Sequence, residues 1–395
     1  MSPSLGCCNR HGAGRCDRPY SRMRLARLTL TNFRNYASLT WRPETPICVI
    51  TGPNGSGKTN LLEAVSLLSP GRGLRGARNS DFSRRDGDGR WGVHGIVERA
   101  DATHEIGTGS APDVTSDRRV FRLDGAAPRS QAEIAAVSAC VWLTPQMDRL
   151  FQEGASGRRR FLDRLVWTLE PGHAREVSAH DAAMAGRNRL LARGGADPGW
   201  LAGLEDSIAR HGVAVAAARS ALVARLNGVL AAGAAGSFPA ARLVLHDMIA
   251  TRLAAAPALA AEDWLRDALA ASRTADATAG SAGVGAHRAD MLLEDATTGL
   301  AAATASTGQQ RALLIGVVLG HAALIASERG EPPLLLLDEP AVHLDAARRG
   351  ALWSALAGGT AQVLATGTDR EAFEALDGIA GFWRTGSGGL LPCRA

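Results

Sequence analysis

Eight consecutive residues, Gly52-Pro53-Asn54-Gly55-Ser56-Gly57-Lys58-Thr59, limit what this chain can fold into more than any others. Gly52 and Gly57, followed directly by Lys and Thr, have the spacing of a phosphate-binding loop, in which backbone N–H groups surround phosphate oxygens. The loop follows an apolar run, Ile47-Cys48-Val49-Ile50, and precedes Leu61-Leu62-Glu63-Ala64-Val65. That order reads strand, glycine turn, helix, which is the context the motif needs. Lys58 is the only lysine in a chain with 44 Lys+Arg residues. A cradle of backbone amides admits a compact ammonium on a thin stem more readily than a planar guanidinium. All eight residues are therefore candidate ATP-binding groups, with Lys58 also a candidate catalytic residue.

The second half of such a site stands far along the chain. Leu334-Leu335-Leu336-Leu337 is apolar throughout and runs into Asp338-Glu339-Pro340. An uninterrupted apolar strand is buried on both faces, as in a parallel sheet under helices, and such sheets bind ligands at the carboxyl ends of their strands. Asp338 is expected to hold Mg²⁺ alongside the Thr59 hydroxyl, and Glu339 to act as general base on the attacking water. Gln146, just past the apolar Val141-Trp142-Leu143-Thr144-Pro145, is a further candidate Mg²⁺ ligand. Arg34, at the end of the first strand, either reaches the nucleotide or is a solvated surface residue. Thr366 and Thr368, after Gln362-Val363-Leu364-Ala365, stand where a phosphate-sensing side chain could sit.

Ser306-Thr307-Gly308-Gln309-Gln310-Arg311 precedes the apolar helix Ala312 to Ala326. A serine and a glycine at a helix N-terminus present a hydroxyl and N–H groups to an anion. The chain already has a loop for its own nucleotide, so Ser306, Gly308 and Gln309 are expected to serve the nucleotide of another subunit, with His343-Leu344-Asp345 lining the same interface. The bland alternative is an ordinary serine-capped helix.

Between these parts lie two further signals. Arg72, Arg75 and Arg78, then Arg84 and Arg85, crowd a glycine-rich stretch with only Asp81 against them. A mobile loop of this kind suits phosphate backbones, although a charge run can equally be a solvated loop. Arg72, Arg75 and Arg78 are the DNA-binding candidates. From Arg158-Arg159-Arg160-Phe161-Leu162-Asp163 to about residue 275 the chain is alanine-rich and helical, with Leu201, Leu204, Ile208, Val215, Leu222, Leu226 and Leu230 at helical spacing. No long heptad seam runs through it.

The expected division is a leader over 1–22, disordered or mis-assigned; the first part of an ATPase lobe over 23–155, with an antiparallel sheet from 91 to 125; a compact helical lobe over 156–280, closed by a linker from Thr274 to Gly285; and the rest of the ATPase lobe over 281–395. The net charge of +5 permits nucleic acid without demanding it. No run of eighteen apolar residues is present, so no membrane span is expected. Cys7, Cys8, His11 and Cys16 lack the second ligand pair of a zinc site, and the other thiols stand singly, as expected in a reducing cytoplasm.

Together these pieces resemble the ABC-type ATPases, and within them the branch shared by SMC-like DNA-repair ATPases and the RecF family. The resemblance to RecF rests on Asn32-Phe33-Arg34-Asn35-Tyr36, the phosphate loop, the Arg158 to Asp163 run, Gly285-Ala286-His287-Arg288-Ala289-Asp290, the Ser306 to Arg311 signature and Asp338-Glu339-Pro340. Ala286 stands where proline is more usual, and Thr307-Gly308 replaces the paired glycines of transporter signatures. The resemblance implies an α/β fold, an ABC/SMC-type P-loop ATPase head with an inserted compact α-helical lobe. It also implies a cytoplasmic homodimer that closes on ATP and Mg²⁺, hydrolyses ATP slowly and in a DNA-dependent way, binds duplex and gapped or single-stranded DNA, and helps load recombinase with RecR and RecO. A transporter ATPase subunit would need only about a hundred residues between loop and signature, far fewer than lie between Thr59 and Ser306. An SMC-type scaffold would need the missing heptads.

Overall fold

The computed structural model describes residues 23–100, 102–111, 118–194, 197–386 and 388–393. The 1–22 leader and its three cysteines lie outside the described residues. Among the described residues, two large sheets, one two-stranded sheet and a set of helices build the chain. A six-stranded sheet has the spatial order Gly389–Cys393, Gly381–Gly386, Ile47–Thr51, Val363–Gly367, Leu334–Leu337, Cys140–Leu143. Its members pair in parallel except at the Gly389–Cys393 edge. The apolar runs at 47, 334 and 363 are buried along their whole length, as an all-parallel interior requires. A five-stranded antiparallel sheet, in the order Tyr36–Trp41, Arg24–Phe33, Gly92–Glu98, Thr103–Ser110, Arg119–Leu123, packs into the same core.

Helices Ala155–Leu169, His173–Arg193, Pro198–Ala231, Met248–Ala255, Ala258–Ala271 and Arg273–Ala279 fill the middle of the chain. Asp197 caps the longest, its carboxylate accepting from the N–H groups of Gly199 and Trp200, with Pro198 at the first helical position. Part of this region has its own core, including Ile208, Val213, Leu265 and Leu269. Arg187, fully buried, binds Glu205 at 3.0 Å and Asp276 at 2.8 Å there. Two features differ from the sequence reading. The strand Ala241–His246 interrupts the helices and pairs with Asp290–Asp295, and the helix Arg273–Ala279 replaces the first half of the expected linker.

Pro198–Ala231 and Thr307–Arg329 also reach the length and mean hydropathy, 1.4 and 1.5, of a membrane-crossing segment, where the sequence suggested none. Both contribute buried residues to the protein's cores. The most apolar window of Thr307–Arg329 is 78% buried, and Pro198–Ala231 carries Glu205 and Arg219 in buried ion pairs.

Two of the motifs that carry the resemblance dock onto one another. Arg158 grips Asp290 with two bonds of 2.7 and 2.8 Å, and Arg159 donates to the Ala289 carbonyl at 2.7 Å. Asp163 takes both arms of Arg219 at 2.8 Å and meets His173 Nε2 at 2.8 Å, while Arg219 also donates to the Ala286 carbonyl. Burial pushes the Asp163 carboxyl up, but the hydrogen bonds from His173 and Arg219 outweigh it and hold it below the ordinary carboxylate value. Its contribution is therefore present at neutral pH and lost as pH falls through that lowered value. Asp163→Ala leaves Arg219 buried without its counter-charge, so denaturant unfolding of that region should show a loss of about 3–5 kcal/mol. An unchanged midpoint would show that the Asp163 clasp does not stabilise the fold.

Candidate nucleotide site

Parallel register carries the site's residues to one end of the sheet. Gly367 pairs with Thr51, Leu337 with Ala365 and Leu143 with Leu337. The phosphate loop, Asp338-Glu339 and the Gln146 turn thus leave neighbouring carboxyl ends. The helix Lys58–Ser66 starts directly from the loop. Gly57 has φ of +105° and Gly52 of +150°, and a Cβ on them would lie 2.3 Å from Asn35 Nδ2 and 2.2 Å from Thr385 Oγ1. Both glycines are therefore required by conformation and by space.

Those close approaches identify residues that the loop pattern alone does not reveal. Asn35 Nδ2 donates to the Ser56 carbonyl at 3.2 Å, and the Tyr36 hydroxyl donates to the Gly57 carbonyl at 3.1 Å. On the other side, Thr385 Oγ1 lies 2.6 Å from Ser56 Oγ and donates to the Thr51 carbonyl. The turn after the first strand and the last hairpin hold the loop between them.

Lys58 is buried, with Nζ donating to the Gly52 carbonyl at 2.7 Å and the Pro53 carbonyl at 3.1 Å. The Thr59 hydroxyl donates to Asp338 at 2.9 and 3.0 Å. Thr366 Oγ1 donates to the same carboxylate at 2.7 Å and accepts the Glu339 N–H at 3.0 Å. Thr366 is thus a buried positioning residue, whereas Thr368 is exposed and bonds only its neighbour Asp369. Glu339 adopts φ of +48°, a strained value for a non-glycine residue. Its carbonyl accepts from Arg311 Nη2 at 3.0 Å, and among the described residues its carboxylate has no hydrogen-bond partner.

Thr59 and Asp338 fit Mg²⁺. A hydroxyl and a carboxylate already share one spot, and both are oxygen ligands, which a hard cation prefers. No group of three or more His, Cys, Asp or Glu among the described residues could hold a metal, so nucleotide phosphate oxygens and water would have to complete the shell. Gln146 lies exposed in the turn Pro145–Arg149, one strand over from Asp338.

The remaining candidates separate in space. Arg34 makes two bonds to the fully buried Glu63 at 2.8 and 2.9 Å and a third to the Asp81 carbonyl. Arg75 shares Glu63 at 3.3 Å and donates to Asn60. Two guanidinium groups thus neutralise one buried carboxylate on the loop helix. Arg72 and Arg78 are exposed.

Ser306 caps the helix Thr307–Arg329, accepting from Gln309 N at 3.3 Å while Gln309 Oε1 accepts the Ser306 N–H at 3.0 Å. Ser306, Thr307 and Gln309 are exposed. A Cβ on Gly308 would lie 3.1 Å from the His343 carbonyl, and His343 has φ of +63°. Asp345 caps the next helix, accepting from Arg348 N. Arg311, completely buried, joins this helix to the site. It donates to the Thr144 carbonyl at 3.2 Å, to Asp148 at 2.6 Å and to the Glu339 carbonyl.

Comparison with known proteins agrees with this geometry. Residues 24–388 match the family model described as the RecF/RecN/SMC N terminal domain. The chain is 44% identical to the DNA replication and repair protein RecF of Mesorhizobium japonicum, over 93% of this chain and 97% of that protein. It is also 44% identical to the RecF of Agrobacterium fabrum, over 94% and 99%. A solved structure of the recombination mediator protein RecF-ATP in the RecFOR pathway superposes with a TM-score of 0.79 at 24% identity, covering 95% of this chain and all of that one. The Smc head domain from Pyrococcus furiosus superposes at 0.51 and 14% identity, covering 94% and 96%. The fold is accordingly that of an ABC/SMC-type ATPase head, and the chain belongs to the RecF family of DNA replication and repair proteins.

Proposed function

We propose that this chain is an ATP-driven recombination mediator whose two copies close around two ATP molecules and hold DNA. The observation that carries the reading is the division of the site. The loop, Thr59, Asp338 and Glu339 gather at one sheet end, while Ser306 and Gln309 stand exposed at the start of their helix. A second subunit would bring its Ser306 and Gly308 to the phosphates held by Lys58. The N–H groups at that helix start would then meet an anion, as helix N-termini favour.

Thr59 and Asp338 would hold Mg²⁺, with Gln146 adjacent, and the ion would neutralise charge developing on the phosphates. Glu339, pinned at both ends of its peptide unit, would take a proton from the attacking water. Arg311 would pass signature-helix movement to Glu339 and to the Gln146 turn, since one guanidinium touches all three elements. Hydrolysis would be slow, promoted by DNA, and would reopen the dimer. The partners would be duplex DNA next to single-stranded gaps, with RecO- and RecR-type mediators, in the cytoplasm. Long heptads, which an SMC-type scaffold would need, are missing from the sequence.

Light scattering tests the composite site. With ATP and Mg²⁺ the mass should double from monomer to dimer. Ser306→Arg, which places a bulky cation at the exposed helix start, should keep ATP binding within about twofold yet leave a monomer. An ATP-bound dimer in that variant would reject the trans arrangement.

A further inference from the structure

A groove of about 610 Å³ lies between the arginine loop and the outer strand of the antiparallel sheet, lined by Arg72, Arg78, Arg118, Arg119 and Phe121 among others. It contains four guanidinium groups and no carboxylate among its lining residues. Arg72, Arg78 and Arg118 are exposed, and none of the four forms an ion pair with a described residue. Several other arginines are committed to a counter-charge. Arg34, Arg158, Arg187 and Arg219 each grip a carboxylate.

Arg119 sharpens the contrast. Its guanidinium lies over the Phe121 ring at 4.3 Å and donates to the Ser69 carbonyl at 3.5 Å. Burial pushes this arginine down to about 10, as happens to a cation withdrawn from water without a counter-charge. The strand that carries it, Arg119–Leu123, is the last in its sheet, and among the described residues no further strand pairs with its outer edge.

We propose that this groove binds the phosphodiester backbone of single-stranded DNA, with Arg72, Arg78 and Arg118 on phosphates and the Arg119–Phe121 stack against a base. Four guanidinium groups with no carboxylate among the residues that line the groove fit a polyanion. A concave groove that combines positive charge with a planar stack fits a flexible strand whose bases are free to stack. A duplex, with its bases already stacked inside a wide rod, touches such a groove only at the rim. The inference rests on the DNA-binding reading above and assigns its single-stranded portion a place.

The test is fluorescence anisotropy of the full-length protein with ATP, on a labelled oligo-dT strand and on a blunt duplex of equal length, across a salt series. Arg72→Ala/Arg118→Ala removes two exposed side chains without disturbing the core. Single-strand affinity should fall at least about tenfold, the log–log salt slope should shrink by about 1.4 for two lost phosphate contacts, and duplex affinity should change less than about twofold. Arg242→Ala, an exposed arginine on the separate two-stranded sheet, should leave both unchanged, and all variants should bind ATP like the parent. Equal losses on both DNAs, or none on either, would overturn the groove assignment while leaving DNA binding intact. A parent protein that binds neither DNA would overturn the DNA-binding reading itself.

Discussion

Lys58→Ala should bind ATP at least about a hundredfold more weakly than the parent. The ammonium is buried at the root of the loop and now donates to the Gly52 and Pro53 carbonyls. On binding, those two carbonyl bonds would be exchanged for bonds to phosphate oxygens, and charge-assisted hydrogen bonds are about twice as strong as neutral ones. Losing about 3 kcal/mol of such interaction corresponds to about two decades in affinity. Lys58→Arg should fail in the same direction, because a planar fork must occupy the buried space of a slim stem whose ammonium sits against the Gly52 and Pro53 carbonyls. Titration calorimetry with ATP and Mg²⁺ measures both variants, and a melting curve checks that the empty fold survives. ATP affinity equal to the parent's in either variant would remove Lys58 from the site.

That the nucleotide half of the site was legible in the sequence has a physical cause. Backbone cradles need glycine at fixed offsets, and a doubly buried strand must be apolar throughout, so Gly52, Gly57 and Leu334 to Leu337 leave local traces. Side chains that act across the fold leave none. Thr385 meets Ser56 across 329 positions of chain and Arg311 meets Thr144 across 167, and neither stands in a pattern that announces a partner. Arg34 looked free because its counter-charge, Glu63, sits inside an otherwise apolar helix turn. The Arg158–Asp163 and Gly285–Asp290 runs were recognisable only through resemblance, and the structure gives them a mechanical role, since they clasp the helices Ala155–Leu169 and Pro198–Ala231 to the turn at Ala286 and the strand Asp290–Asp295. The arginine loop was visible as composition, but its three candidates divide. Arg75 stabilises the loop helix, and Arg72 and Arg78 join Arg118 and Arg119, which no local signal grouped with them. The strand Ala241–His246 was missed because its alternation is short and enclosed by alanine-rich helices.

Glu339→Gln should separate binding from hydrolysis. The Glu339 peptide is fixed from both sides, its N–H by Thr366 and its carbonyl by Arg311, while the carboxylate stays half-exposed and without a hydrogen-bond partner among the described residues. A carboxylate held in this way can accept a proton from an incoming water, and the amide that replaces it cannot. General-base loss of this kind lowers rate by about 10²- to 10⁴-fold. Shape and backbone bonds are unchanged by the substitution, so ATP affinity should stay within about twofold of the parent's. The dimer should therefore form with ATP and persist, because reopening requires the hydrolysis that the variant has lost. Phosphate release gives the rate and light scattering the lifetime of the dimer, with Lys58→Ala as the monomeric control. An ATP-loaded Glu339→Gln protein that remains monomeric would reject ATP as the link between subunits, and unimpaired hydrolysis would move the base away from Glu339.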